Sequence, residues 1–277
     1  MPLHMQLPSL TQNDGLAIPQ IGLGIYGPGN EAAADAVHTA VELGYRSIDT
    51  AAFYENEAGV GEGIRRSGLP REEVHVTTKL WGDHHGYDAA LAAFDRSLQE
   101  LGLDYVDLYL IHWPLPTQDK YVETWKALET ILAEGRARSI GVSNFQPHHL
   151  ERLFAETSVV PAVNQIELHP GFQNEQVRSF NAEHNILTQA WSPLGRGRVF
   201  GNTTLEAIAQ KHSKSVAQVV IRWHTELGNV VIPKSITPAR LAENLDVFDF
   251  ELDAGDLTAI RALETGERTG DNPDQFG

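Results

Sequence analysis

Short apolar runs with strand character recur along this chain, and between them lie stretches whose apolar residues fall at helical spacing. The strand-like runs are residues 21–23, 46–49, 74–79, 105–112, 137–142, 162–167, 186–191 and 230–232. Helical patterns occupy 32–43, 57–66, 89–101, 122–133, 147–154, 175–184, 205–211, 216–227, 238–245 and 254–263. Each strand is followed by helix, and this predicts an α/β architecture, because parallel neighbours need a crossover that is usually helical. No linker or low-complexity segment interrupts the series, so one domain over residues 1–277 is expected. Two arrangements fit such a series, a single (β/α)8 TIM barrel and a doubly wound sheet. The barrel is favoured, because candidate chemical residues follow strands from the first to the last and do not gather at one switch point. An N-terminal β-hairpin is expected over residues 7–18, around Asn13-Asp14-Gly15. Asn30 is placed to cap the first helix and Gly44 to stop it.

Charge and composition exclude several classes of function. Lys and Arg number 21 against 37 Asp and Glu, a formal net charge of −16, which argues against a nucleic-acid surface and against acidic membranes. There is no cysteine, so disulfides and thiolate metal sites are excluded. Met1-Pro2-Leu3-His4-Met5-Gln6 lacks the basic start and apolar stretch of a signal peptide, and no apolar run approaches a membrane span. A cytoplasmic, monomeric protein is expected.

Three consecutive strands end in groups that belong to acid–base chemistry: Asp49, Lys79 and His112. A phenol, Tyr54, follows the first of them by a few residues. Tyrosine ionises near ~10, so proton transfer at neutral pH calls for a cation that stabilises the phenolate. Lys79 is the candidate cation. Gly22-Leu23-Gly24-Ile25-Tyr26-Gly27 matches the spacing of a dinucleotide fingerprint, but Pro28-Gly29-Asn30 intervene before the helix, and a flexible loop at the barrel mouth is the better reading. His84-His85 and His148-His149 are expected not to bind metal, because adjacent histidines should point apart and no third ligand is spaced to join them.

The motifs around these residues resemble those of the aldo-keto reductases. Gly44-Tyr45-Arg46-Ser47-Ile48-Asp49-Thr50-Ala51, with Asn56-Glu57 beyond it, is similar to that family's first signature. Val106-Asp107-Leu108-Tyr109-Leu110-Ile111-His112-Trp113-Pro114 resembles the segment that carries the family's histidine. Ser139-Ile140-Gly141-Val142-Ser143-Asn144-Phe145 and Ile232-Pro233-Lys234-Ser235 complete a likeness that covers nearly the whole chain in order. Within the family it is most similar to bacterial 2,5-diketo-D-gluconate reductases, notably at Val159-Val160-Pro161-Ala162-Val163-Asn164 and at Asn244-Leu245-Asp246-Val247-Phe248.

The resemblance implies NADPH-dependent reduction of small aldehydes or ketones, such as diketogluconate-like keto acids and methylglyoxal-type dicarbonyls. Tyr54 would be the general acid with its pKa lowered by Lys79, Asp49 would hold Lys79, and His112 would orient the carbonyl oxygen. Ser143, Asn144 and Gln165 match residues that hold the carboxamide of the nicotinamide, and Trp191 stands where a ring stacks on it. Most relatives have tyrosine there. Ser192, Leu194 and Gly195 would approach the pyrophosphate; Lys234, Ser235 and Arg240 match the 2′-phosphate site, and Glu243 and Asn244 the adenine end. Substrate would sit among Phe53, Trp81, His112 and Trp113, while Arg196 and Arg198 are either ligand contacts or solvated loop charges. Two other functions compete on the same barrel. A class I aldolase would use Lys79 as an amine nucleophile, which pairing with Asp49 disfavours. A non-catalytic NADPH-sensing barrel would gain its role from added segments, and this chain is near minimal length.

Overall fold

The computed structural model describes residues 7–277, so the start read above as lacking a leader, residues 1–6, lies outside the described residues. The hairpin forms as expected: β1 (Ser9–Thr11) and β2 (Ala17–Pro19) pair antiparallel with Leu10 opposite Ile18. Eight parallel strands follow, each hydrogen-bonded to the next in chain order. They are β3 (Leu23–Gly24), β4 (Ser47–Asp49), β5 (His75–Leu80), β6 (Val106–Ile111), β7 (Ala137–Ser143), β8 (Val163–Glu167), β9 (Leu187–Trp191) and β10 (Val230–Val231). First and last strands also meet, since Ile21 bridges Val231 and Gly24 bridges Lys234. The sheet thus curls round into an α/β barrel, and the doubly wound alternative is excluded.

That closure corrects the reading of the glycine-rich stretch. Gly24 belongs to β3, and a Cβ there would stand 2.9 Å from the Ile232 carbonyl oxygen. The seam therefore needs a residue without a side chain, and Gly24 is part of the wall, not of a flexible loop. The last strand is one residue shorter than expected, because Pro233 follows Ile232 and has no N–H to extend the ladder.

Among the described residues ten helices pack around the strands: α1 (Asn30–Leu43), α2 (Glu57–Ser67), α3 (Tyr87–Leu101), α4 (Tyr121–Ala133), α5 (Pro147–Glu156), α6 (Glu175–Glu183), α7 (Thr203–His212), α8 (Val216–Glu226), α9 (Pro238–Leu245) and α10 (Ala254–Arg261). Gly44 stops α1 in the left-handed region, as expected. Asn30 does not cap it. Gly29 occupies the cap, and Asn30 Oδ1 instead accepts the Gly59 N–H at 2.7 Å, joining α1 to α2.

Strand side chains alternate between the two faces of the barrel wall. Outward residues such as Ile48, Val76, Tyr109, Ile140 and Ile166 join the layer beneath the helices. Inward residues form a second cluster, Leu108, Leu110, Val163 and Val230, which Ile18 of the hairpin plugs from below. The same alternation sends Asp49, Lys79, Gln165 and Gln189 inward at the other end.

Candidate active site

At the C-terminal end of the strands, Asp49 and Lys79 are 2% and 0% exposed, and the Lys79 ammonium donates to Asp49 Oδ1. It also donates to the Thr50 carbonyl at 2.8 Å. Gln165 Nε2 donates to the other carboxylate oxygen at 2.7 Å and to Gln189 Oε1 at 2.9 Å. A chain of four inward side chains therefore crosses the barrel from β4 and β5 to β8 and β9. Burial alone would lower the Lys79 pKa, but the Asp49 charge, together with Tyr54 and the hydrogen bonds to both, holds the lysine above its ordinary value. The lysine remains a cation.

Tyr54 ends a single 3₁₀ turn, Ala52–Tyr54, after β4, and Glu55 in the left-handed region at φ 54° closes it. Asn56 braces this loop: its Oδ1 accepts from Thr50 Oγ1 at 2.7 Å, and its Nδ2 donates to the Ile25 carbonyl at 2.7 Å. The Tyr54 ring centroid lies 5.1 Å from Lys79 Nζ and 5.7 Å from the His112 ring. The expected net lowering of the Tyr54 pKa is corrected. Burial raises it, Lys79 opposes this, and the balance stays above the ordinary tyrosine value. The phenol is protonated at neutral pH. Burial and then Lys79 push the His112 pKa well below its ordinary value, so the imidazole is neutral.

An aromatic box surrounds these groups. Phe53 stacks on Trp81 at 4.0 Å, and Trp81 meets the His112 ring edge-on at 5.3 Å. Trp113 is joined by a residue that the sequence reading missed: Phe276, at 4.6 Å, which also stands 6.2 Å from Trp81. Tyr26 is a second omission, edge-on to Tyr54 at 5.0 Å. Phe276 is the one aromatic in residues 265–277, a signal that was available in the sequence. The tail that carries it is anchored. Glu167 accepts from Thr269 N and Oγ1, both at 2.5 Å, and from Gly270 N at 3.2 Å. Burial alone would raise the Glu167 pKa, but bonds from His169, Thr269 and Gly270 hold it at about 2.

Ser143, Asn144 and Trp191 lie together, but their donors are spent inside the protein. Asn144 Nδ2 donates to the His112 carbonyl at 2.9 Å and to Ser143 Oγ at 3.1 Å; Ser143 Oγ donates to the Gln165 carbonyl, and Trp191 Nε1 to Asn144 Oδ1, both at 2.8 Å. The side-chain oxygen of Gln165 remains for an incoming amide, while Asn144 Oδ1 keeps one lone pair beside the bond from Trp191. After β9, the Gly195 N–H is taken by the Ser192 carbonyl at 2.8 Å, which leaves it no donor for a phosphate; Leu194 is half-buried in the same turn. Arg196 is exposed, and Arg198 reaches the Arg268 carbonyl only at 3.5 Å.

At the far edge, Lys234 and Arg240 are exposed and join no ion pair among the described residues. Ser235 is buried and its hydroxyl accepts the Thr237 N–H at 3.1 Å, so it supports the start of α9. Of the adenine-end pair, Glu243 is half-buried and Asn244 is buried beside the Tyr45 hydroxyl.

The structure also corrects the reasoning about histidine pairs. His148 and His149 rings lie 4.0 Å apart, and both Nε2 atoms face Asp274 Oδ1, at 3.4 and 3.6 Å. A third candidate ligand is therefore present, supplied by the tail. His149 Nδ1, however, accepts the Gln146 N–H at 3.1 Å, which leaves the proton of a neutral ring on Nε2, the atom facing Asp274. A protonated nitrogen is not a metal ligand, and metal-binding histidines donate from their other nitrogen instead of accepting there.

Comparison with known proteins points the same way as this geometry. The pattern described as the aldo/keto reductase family matches residues 20–265. An aldo-keto reductase of Mycolicibacterium smegmatis is 54% identical over 269 residues, 97% of this chain and 98% of its own. The methylglyoxal reductase DkgA of Escherichia coli is 52% identical over 266 residues, 95% of this chain and 96% of its own. A mutant of Gox0644, solved in complex with NADPH, superposes with a TM-score of 0.94 at 50% identity, over 98% of this chain and 99% of that one. No helix among the described residues is long and apolar enough to cross a membrane. Barrel closure, strand-end chemistry and matches over almost the full length converge, and the chain belongs to the aldo/keto reductase family.

Proposed function

We propose that this enzyme reduces the carbonyl group of small aldehydes and ketones with NADPH, methylglyoxal-type dicarbonyls and diketogluconate-like keto acids being the substrate class. The observation that carries this reading is the Tyr54 phenol set between a buried lysine cation and a neutral imidazole. Tyr54 gives its proton to the carbonyl oxygen as negative charge develops there. Lys79 stabilises the phenolate left behind, and Asp49 and Gln165 fix the position of that ammonium. Neutral His112 donates a hydrogen bond to the same oxygen and orients it. Phe53, Trp81 and Trp113 enclose the substrate and exclude water, which strengthens each of these electrostatic contacts.

The residues present fit a nicotinamide dinucleotide. Gln165 Oε1 accepts from no protein donor among the described residues, and suits a carboxamide NH2. Trp191 is half-buried and offers a ring face, while Lys234 and Arg240 offer unpaired charge for a 2′-phosphate. When bound, NADPH supplies the hydride. The relatives named above support both parts of the reading, one being called a methylglyoxal reductase and one being solved with NADPH. The hairpin, barrel and tail, residues 1–277, are taken to act as one unit.

The test is NADPH oxidation with methylglyoxal, 2,5-diketo-D-gluconate, simple aldehydes and aromatic aldehydes, run beside Tyr54→Phe. Turnover with at least one dicarbonyl, abolished in the variant, is the expected result. Failure of every dicarbonyl in the presence of good aldehyde turnover would remove the substrate class and leave the chemistry standing.

A further inference from the structure

A groove of about 890 Å3 lies away from the barrel mouth. It is a surface groove bounded by α6, α10, the end of α8 and the hairpin residues Thr11, Gln12 and Asn13, and none of the candidate active-site residues lines it. One wall is a single face of α6, where Glu175, Arg178, Ser179 and Ala182 follow one another at helical spacing. The other wall is Leu257, Thr258 and Arg261 of α10. Trp223 and Leu227, from the end of α8 and just beyond it, add apolar surface at the base. Gln173 fastens the upper end by donating to the Ile260 and Arg261 carbonyls at 2.9 and 3.1 Å.

Only three charged residues line the groove, and they do not balance. Arg261 donates to Glu175 at 2.9 Å across the upper end. Arg178, one turn further along α6, joins no ion pair and makes no side-chain hydrogen bond among the described residues. It is half-buried, and burial together with the like charge of Arg261 holds its pKa below the ordinary arginine value despite Glu175. One net positive charge therefore lines a partly apolar groove in a chain whose formal net charge is −16.

We propose that this groove is a second ligand site, for a small organic carboxylate with an apolar body. The carboxylate takes the fork of Arg178, whose planar donors match it in a bidentate arrangement. Ser179 and Thr258 add hydroxyl groups to the lining, and the body of the ligand would lie against Trp223, Leu227 and Leu257. The volume falls within the range usual for small-molecule sites, about 300–1,000 Å3. The proposal is independent of the reductase chemistry at the barrel mouth.

Isothermal titration with naphthalene-2-carboxylate tests it, using the full chain in excess NADPH so that the cofactor groove is taken. Saturable one-to-one binding is expected, weakened about 10- to 150-fold by Arg178→Gln, the usual range for losing a hydrogen-bonded charge. Ala182→Phe, which fills the groove without touching the charge, should weaken it as well and covers the case in which the arginine variant folds poorly. Trp113→Ala, at the barrel mouth, should leave it unchanged. Naphthalene-2-carboxamide, neutral and of the same shape, should bind more weakly and with no dependence on Arg178. Carbonyl turnover in Arg178→Gln should match the parent. The proposal is overturned by absent saturation, by affinity that survives both groove variants, by loss in Trp113→Ala alone, or by equal affinity for the amide.

Discussion

Two lysines near strand ends, Lys79 and Lys234, show what surroundings make of the same side chain. Lys79 is fully buried, held by Asp49 and the Thr50 carbonyl, and placed 5.1 Å from a phenol ring. Lys234 is exposed and shares its edge of the barrel with Arg240, with no acid paired to either among the described residues. At low effective dielectric the first charge acts strongly on its neighbours and is barely screened by salt. At the surface the second acts weakly on the fold and stays available for an anion. In the proposed function the buried lysine would set chemistry, and the exposed one would bear on which anion is chosen.

The comparison breaks most severely if Lys79→Met leaves the enzyme working. Removal of the cation strands Asp49 in the interior, and losing one partner of a buried pair costs roughly 3–5 kcal/mol. Denaturant titration should show that loss and steady-state assays a collapse of turnover; folded, active protein would end the claim that Lys79 tunes Tyr54. Tyr54→Phe comes next, since it deletes only the hydroxyl. Turnover should fall at least ~100-fold, the low end for a positioned acid, while NADPH binding is unchanged. Near-normal turnover at saturating substrate would assign the proton to another group.

Arg240→Ala probes the exposed side. A hydrogen bond to a charged group is worth roughly 1.5–3 kcal/mol, so NADPH should weaken by about 10- to 150-fold and NADH hardly at all. Tryptophan-fluorescence titrations at two salt concentrations should show the difference shrinking as salt rises. Equal losses for both cofactors would reject the 2′-phosphate site.

The smallest effect, taken per group, is protonic. Burial pushes His75 and His85 down to about 4 and His224 to about 3; burial with the neighbouring His148 holds His149 at about 4, against an ordinary 6.5 for each. Folded pKa values below the unfolded ones mean that these groups contribute stability fully above pH 6.5 and lose it as pH falls toward the folded values. The loss is on the order of 1 kcal/mol per histidine for each pH unit in that window. Lys79→Met leaves Asp49 buried without the cation that holds its pKa down, so acidification relieves the unpaired charge by protonating it, and the variant should lose less stability than the parent between pH 7 and 5. An identical fall in Tm for the two proteins would mean that Asp49 carries no unpaired charge in the variant.

Strand order, the hairpin, the stop at Gly44 and the strand-end positions of Asp49, Lys79 and His112 were all legible in the sequence. Each depends on local spacing, and in a barrel of parallel strands every strand end comes to the same mouth. Long-range contacts were not legible in that way. Asn30 looks like a cap and instead bonds Gly59; Phe276, more than two hundred residues from Phe53, closes the aromatic box because Glu167 holds Thr269 and Gly270. The sign of the Tyr54 shift also escaped, because pairing with Lys79 can be inferred from motifs while desolvation depends on everything packed around the phenol. Periodicity and strand-end position were enough to specify the barrel and the kinds of group at its mouth. Which distant segments meet there, which donors are already spent, and that Arg178 has no partner among the described residues depend on burial and on contacts between elements far apart in the chain, which local spacing does not encode.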